Sequence, residues 1–419
     1  MNILLKSATI SAPSNTSIHN KKRDIHIKNG KIEKIASRIT PANGTKEIKL
    51  DNLHVSIGWF DTSVSFGEPG FEERETLENG LKVASKSGFT DILLNPNTNP
   101  IPDTGSDIVF LKNSANSTIT NLHPLGALTV KSKSEALAEL FDMQTMGAVG
   151  FYDFKKPISN SNLLKIALLY AQNFNGLVFS YPEDVAIKGK GTVNEGEVST
   201  RLGLKGVPAL SEELQIARDL YVLEYTGGKL HIPTISTAGA VKLITEAKKK
   251  GLDVTTSVAL HNICLTDSEL ESFDTSFKVK PPLRTTKNNK ALLKGLLNGT
   301  IDYITADHRP IDIEEKRVEF DNAAYGTIGL ESAFGALNNL IGLEDTVNCL
   351  TKGRARFNIP LPQIEEGVLA NLTLFNPDGE HTFNYDNILS KSKNAIFLNR
   401  KLKGKVYGSI NNDKMVLNV

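Results

Sequence analysis

Ile57-Gly58-Trp59-Phe60-Asp61-Thr62-Ser63-Val64-Ser65-Phe66-Gly67-Glu68-Pro69-Gly70-Phe71 is the stretch on which the reading of this chain turns. An apolar lead-in, a Gly-Glu-Pro-Gly stop and an amphipathic run over Glu75–Ser87 predict a buried strand, a tight loop and a helix. Side chains alternate faces along a strand, so Asp61, Ser63 and Ser65 share one face. Its last two positions carry small hydroxyls.

Working outward from it, strand and helix patterns repeat from about residue 55 to residue 355. Strands are expected at Ser56–Phe66, Thr90–Asn95, Leu122–Thr129, Ala148–Phe154, Gly176–Ser180, Lys229–Ser236, Asp253–Leu260 and Asp302–Asp307. Helices are expected at Glu75–Ser87, Ser134–Met146, Ser211–Tyr225 and Ala238–Lys250, with Ser211-Glu212-Glu213 and Thr237 as start signals. Eight strands alternating with helices predict an α/β chain with a closed (β/α)8 TIM-type barrel over 55–357. An open doubly wound sheet is the alternative, but no glycine-rich phosphate loop follows the first strand.

The two ends read differently. Asn2–Ile10, Arg23–Lys28 and Lys31–Ala36 alternate like strands, with Asn29-Gly30 as a hairpin signal; Ala370–Phe375, Asn394–Leu398 and Lys403–Ser409 match them at the other end. Segments 1–54 and 358–419 are expected to join in one small composite β-sandwich domain.

The chain has 419 residues, of which 40% are hydrophobic, enough for a large core and a second, smaller one. A net charge of +1 gives no electrostatic reason to expect nucleic acid or an acidic membrane as partner. Cys264 and Cys349 are too few for a disulfide framework or a thiolate metal cluster. With no signal-peptide pattern and no run of about 18 apolar residues, a cytoplasmic protein is expected.

The quoted stretch resembles the first barrel strand of the dihydroorotases, members of the amidohydrolase superfamily, whose motif reads Asp-x-His-x-His-x-Arg-Glu-Pro-Gly. Other segments are similar to the same family: Asn95-Pro96-Asn97-Thr98-Asn99-Pro100, Gly203-Leu204-Lys205-Gly206-Val207-Pro208-Ala209, Ser236-Thr237-Ala238-Gly239-Ala240, Phe277-Lys278-Val279-Lys280-Pro281-Pro282-Leu283-Arg284 and Thr305-Ala306-Asp307-His308. The resemblance implies a barrel whose mouth holds two zinc ions, a water activated between them, and a strand-eight aspartate that moves the proton to the leaving nitrogen. It implies substrate binding at Asn97 and a catalytic acid/base at Asp307.

The ligands depart from that pattern. Ser63 and Ser65 stand at the first histidine pair, Tyr181 and Thr234 at the histidines of strands five and six, and Asp153 and Asp307 at acidic positions of strands four and eight. Phe154 stands where the family often has a second aspartate, and sequence alone leaves open which of that pair would ligate. Hydroxyls are poor zinc ligands, so no metal is expected at these vestigial positions, and zinc only if the family site is retained after all. Substrate recognition is eroded in parallel: Gly67 replaces the arginine, Ile311 a histidine and Lys280 an asparagine. Restoring the enzyme would then need Ser63→His, Ser65→His, Tyr181→His and Thr234→His, with Gly67→Arg and Ile311→His for recognition. Among the remaining histidines, His308 should face away from Asp307, His231 should be packed in the core, and His261 ends strand seven, within reach of the mouth. No histidine lies between Ser63 or Ser65 and Asp307 for nucleophilic serine catalysis, and there is no G-x-S-x-G elbow.

Three functions stay open: a non-hydrolysing scaffold or regulatory subunit of pyrimidine biosynthesis, for which the family's inactive partners of aspartate transcarbamoylase are the precedent; an active dihydroorotase or other cyclic amidohydrolase with a rebuilt mononuclear or metal-free site; and a module that binds a pyrimidine precursor. A homo-oligomer is expected.

Overall fold

The computed structural model describes residues 1–13, 15, 17–116 and 118–418. The N-terminal alternating segments form β1 (Asn2–Ile10), β2 (Lys22–Lys28), β3 (Lys31–Ala36), β4 (Lys46–Ile48) and β5 (His54–Ile57). Asn29 and Gly30, at φ 50° and 74°, turn β2 into β3 as the Asn-Gly signal predicts. After β5 comes β6 (Trp59–Val64), so the expected strand Ser56–Phe66 is in fact two strands divided at Gly58. A Cβ on Gly58 would lie 2.0 Å from both Asn371 Oδ1 and Thr90 Oγ1. The chain crosses from sheet to barrel where no side chain fits.

The barrel continues through β7 (Phe89–Leu94), β8 (Asn121–Pro124), β9 (Leu177–Phe179), a two-residue pair β10 (Val193–Asn194) and β11 (Gly206–Val207) outside the wall, and then β12 (Lys229–Ile232), β13 (Val254–Ala259) and β14 (Tyr303–Thr305). Strand four, expected at Ala148–Phe154, makes no regular ladder. Phe151 alone bridges Gly126 on one side and Val178 on the other. A Val64–His308 bridge closes the wall between strands eight and one. The result is a closed (β/α)8 barrel of parallel strands.

β15 (Leu372–Thr382), β16 (Lys401–Asn411) and β17 (Lys414–Leu417) complete an eight-stranded sheet of order β17-β16-β15-β5-β1-β2-β3, with β4 beside β1. Ile3, Leu5, Ile25, Ile27, Val55, Leu372, Leu374 and Ile410 from both ends of the chain meet in its core. Asn394–Leu398, expected as a strand, is a loop; the Asn394 amide donates to the carbonyls of Arg309 and Gly326, tying it to the barrel instead. The helix expected at Ser134–Met146 is confined to Leu140–Thr145. The one expected from Ser211 already runs from Ala209 to Thr226, and its Glu212, buried, accepts from the backbone of Ser236 and Thr237 at 2.8 and 2.9 Å. Thr237 caps helix Ala238–Lys249 as predicted, accepting from Ala240 N at 3.1 Å.

Trp59 locks the two parts together. It is fully buried, with its ring 5.0 Å from Phe334 of helix Leu330–Ile341, 5.6 Å from Phe375 of β15 and 6.0 Å from Phe89 of β7. Inside the barrel, Phe60, Leu93, Leu125, Leu177, Phe179 and Phe357 fill the lower layers, leaving the polar residues to the C-terminal rim.

Candidate functional site

Strands one and eight are clamped by Asp61. Its carboxylate accepts from Thr305 Oγ1 at 2.5 Å, Ala306 N at 2.7 Å and Ser63 N at 2.9 Å. Burial pushes this carboxyl up to about 6, against the pull of those three bonds. The clamp sets Ser63 and Asp307 side by side at the mouth: Ser63 Oγ donates to Asp307 Oδ1 at 3.1 Å. Asn95, at the end of strand two, donates from Nδ2 to Ser63 Oγ and Ser65 Oγ, both at 3.1 Å. The pair of serines is thus held by an amide.

A lysine supplies the charge that faces Asp307. Lys155 follows strand four, on the opposite side of the barrel, and its Nζ lies 2.6 Å from Asp307 Oδ2 with both side chains buried. The same ammonium donates to Lys280 O at 2.5 Å, while Lys280 Nζ donates back to Lys155 O at 3.0 Å and to Glu183 Oε1 at 2.9 Å. Two ion pairs therefore run across the mouth, with the Lys280 ammonium 4.9 Å from the Tyr181 ring centre. Burial lowers the pKa of Lys155, and the Asp307 charge opposes that shift. Lys155, Thr234 and Asp307 all have φ near +50°, at 53°, 48° and 49°. Non-glycine residues in this region cost about 1–3 kcal/mol each and cluster at functional sites.

The other residues singled out by sequence separate into two groups. Tyr181 and Thr234 are buried at the mouth; the Thr234 hydroxyl has no hydrogen-bond partner among the described residues, and burial raises the Tyr181 pKa well above its ordinary value. Asn97 sits past the end of strand two with its Oδ1 buried and without a hydrogen-bond partner among the described residues. Asp153 is placed elsewhere: its carboxylate accepts from Leu128 N and Thr129 N at 3.0 Å and from Thr129 Oγ1 at 2.5 Å, so it holds the loop after strand three and does not face Asp307. His308 points away from Asp307 and accepts at Nδ1 from Gly329 N at 3.1 Å. His231 packs 4.7 Å from the Phe179 ring. His261 is buried near Asp307 and Lys155, its Nε2 without a hydrogen-bond partner among the described residues, and burial lowers its pKa to about 4.

Gly67 is more than a missing arginine. A Cβ there would lie 1.7 Å from the Phe71 carbonyl oxygen, and Gly67 O accepts from Phe71 N at 2.9 Å. The loop has tightened onto the space a side chain would use, so Gly67→Arg cannot restore the family's cation on this backbone. Ile311 is buried as well.

Zinc does not fit this donor set. Hydroxyls occupy four positions, Asp153 is turned to Thr129, and the remaining carboxylate, Asp307, already has an ammonium on it. Among the described residues no three His, Cys, Asp or Glu side chains converge as a metal site. Sequence reasoning missed Lys155, Asn95, the Lys280–Glu183 pair and Arg309. Lys155-Lys156 reads as an ordinary solvated pair; its position two residues past the acidic position of strand four was the available signal.

Arg309, two residues after Asp307, reaches back across the mouth to lie 5.5 Å from the Phe154 ring centre at the end of strand four. Its Nε is buried without a partner, and its guanidinium makes no hydrogen bond or ion pair with the described residues.

A family model described as dihydro-orotase-like matches residues 54–240. The dihydroorotase of Pelotomaculum thermopropionicum is 39% identical over 100% of this chain and 99% of its own length. That of Syntrophus aciditrophicus is 36% identical over 97% of each. Among solved structures, the L-hydantoinase (dihydropyrimidinase) from Arthrobacter aurescens superposes with a TM-score of 0.86 over 99% of this chain and 96% of that one, at 20% identity, which speaks to the fold alone. Identity of this extent over the whole length places the chain in the dihydroorotase family.

Proposed function

We propose that this chain serves pyrimidine biosynthesis as a dihydroorotase-like protein that does not hydrolyse dihydroorotate, acting as a scaffold or regulatory partner, for example of aspartate transcarbamoylase, in a homo-oligomer. The observation that carries this reading is the buried Lys155 ammonium, 2.6 Å from Asp307. Hydrolysis of a cyclic amide needs an activated water, polarisation of the carbonyl and a group that carries the proton to the leaving nitrogen. Asp307 is engaged by Lys155 and Ser63, so the proton carrier is occupied. The four hydroxyl positions offer no strong base.

The relatives are named dihydroorotase, and this favours a second reading, a metal-free or mononuclear hydrolase with a rebuilt site. One experiment separates the two: metal content of protein purified without chelators, measured together with dihydroorotate hydrolysis. A folded, metal-free, inactive protein supports the proposal. Stoichiometric zinc at the mouth, or turnover by the unaltered chain, overturns it. The scaffold part is checked by whether the purified chain associates with aspartate transcarbamoylase and changes its rate.

A further inference from the structure

Helix Ala209–Thr226, on the outside of the barrel, carries its polarity the wrong way round. Its buried side includes Ser211, Glu212, Gln215 and Asp219, each held by hydrogen bonds, beside Ile216, Leu220 and Leu223. Its solvent side carries Leu210, Leu214, Tyr221 and Tyr225, the two tyrosines 73% and 82% exposed. A surface helix ordinarily shows the reverse, an apolar stripe to the core and charge to solvent. With the half-buried Ala217, the four exposed residues recur at helical spacing and form one ridge about 22 Å long. Ile166 and Leu169, exposed on the adjoining helix Ser161–Ala171, widen it. Covering these six side chains would remove roughly 600–700 Å² from water, at the upper end of the largest apolar patch on an ordinary monomer. A stable interface takes about 800 Å² per partner with its polar rim included.

The spacing within the ridge shows what covers it. About a two-fold axis passing between Ala217 and Arg218, an antiparallel copy of the helix sets Leu214 against Tyr221 and Leu210 against Tyr225, because the members of each pair lie equally far from the axis. A large ring then meets a smaller aliphatic chain at every pair. The small Ala217 falls at the crossing, where packed helices approach to about 8–10 Å. Such self-complementarity is what an isologous contact requires. Burial would strand neither of the charges beside the ridge: Arg218 is paired with Asp219, and Glu224 with Lys250.

We propose that helix Ala209–Thr226 is a homodimer interface, pairing with the same helix of a second copy of this chain about a two-fold axis at Ala217 and Arg218. This deepens the homo-oligomer part of the preceding proposal and rests on it.

The test is sedimentation equilibrium of the full chain and its variants over micromolar concentrations. Leu214→Lys and Tyr221→Asp are each expected to weaken self-association roughly 100-fold or more, since each substitution enters a symmetric interface twice. Combining them should recover at least about tenfold over either alone, because the two-fold sets each lysine against the partner's aspartate. Leu297→Asp, an equally accessible leucine on helix Thr286–Leu297, should change nothing. Ala217→Cys gives a reading that does not depend on disrupting the surface: mild oxidation should yield disulfide-linked dimers, and Lys294→Cys on the helix of Leu297 should not. Self-association untouched by the Leu214 and Tyr221 changes, or lost with neither rescue nor cross-linking, overturns this interface and leaves the homo-oligomer standing. A monomeric unaltered chain overturns both. If in that monomer Tyr221→Asp weakens association with aspartate transcarbamoylase, the ridge serves that partner and the second copy is refuted.

Discussion

Replacing Lys155 by methionine removes the ammonium that neutralises Asp307 while keeping most of the side-chain volume. At an N···O distance of 2.6 Å and an effective dielectric constant of about 20, the attraction is about 6 kcal/mol. Desolvating two buried ions consumes most of this, so the pair contributes little net stability, yet losing one partner strands the other charge and costs about 3–5 kcal/mol. Among the described residues, Asp307 would keep only the Ser63 hydroxyl, at 3.1 Å, as a side-chain hydrogen-bond donor. We expect Lys155→Met to lose about 3–5 kcal/mol, Asp307→Asn to lose a comparable amount, and the double variant to lose clearly less than their sum, with a coupling of at least about 2 kcal/mol. Urea unfolding followed by the fluorescence of the single tryptophan, Trp59, buried where sheet and barrel meet, is the assay. A Lys155→Met variant within about 0.5 kcal/mol of the unaltered chain, or additive behaviour of the two changes, would refute the cross-barrel ion pair.

Adding Ser63→His, Ser65→His, Tyr181→His and Thr234→His together should create only a weak zinc site while Lys155 stays on Asp307; adding Lys155→Ala should tighten zinc binding at least about tenfold, read by competition with a chromophoric chelator, and no gain would count against Lys155 as the obstacle. Gly67→Ala should cost at least about 2 kcal/mol, because its Cβ meets backbone that cannot step aside; a variant melting with the parent would show the loop to be free. Asp61 should titrate near pH 6 in a carboxyl-carbon NMR experiment. Its folded pKa lies above the unfolded value, so its contribution to stability is full below about pH 4 and is lost as the pH rises through 6, and a midpoint at or below 4 would refute the burial argument. Lys316 is the opposite case: burial lowers its pKa to about 7, so between pH 7 and its unfolded value near 10.4 the unfolded chain binds the extra proton and stability from this group rises with pH; a flat contribution on Lys316→Met comparison would contradict it.

The barrel and the sheet were legible because they rest on short-range regularities. Alternation, turn residues and strand–helix spacing predict β1–β3, β6 and β12–β14 and the cap at Thr237, since each is decided within a few residues. That Ser63, Ser65, Tyr181 and Thr234 carry hydroxyls was equally legible, as it is a statement about residue types. Boundaries set by partners far away were not: Gly58 breaks a continuous apolar run because Asn371 and Thr90 close over it, and strand four is reduced to the bridges of Phe151 to Gly126 and Val178. The site's contacts were decided at still longer range. Apart from its place two residues past Asp153, nothing local distinguishes Lys155 from Lys156, and nothing local places Arg309 against Phe154. Only closing the barrel brings strand four to strand eight, 152 residues apart at the Lys155–Asp307 contact, and only burial turns that contact from a negligible surface pair into a strongly coupled one.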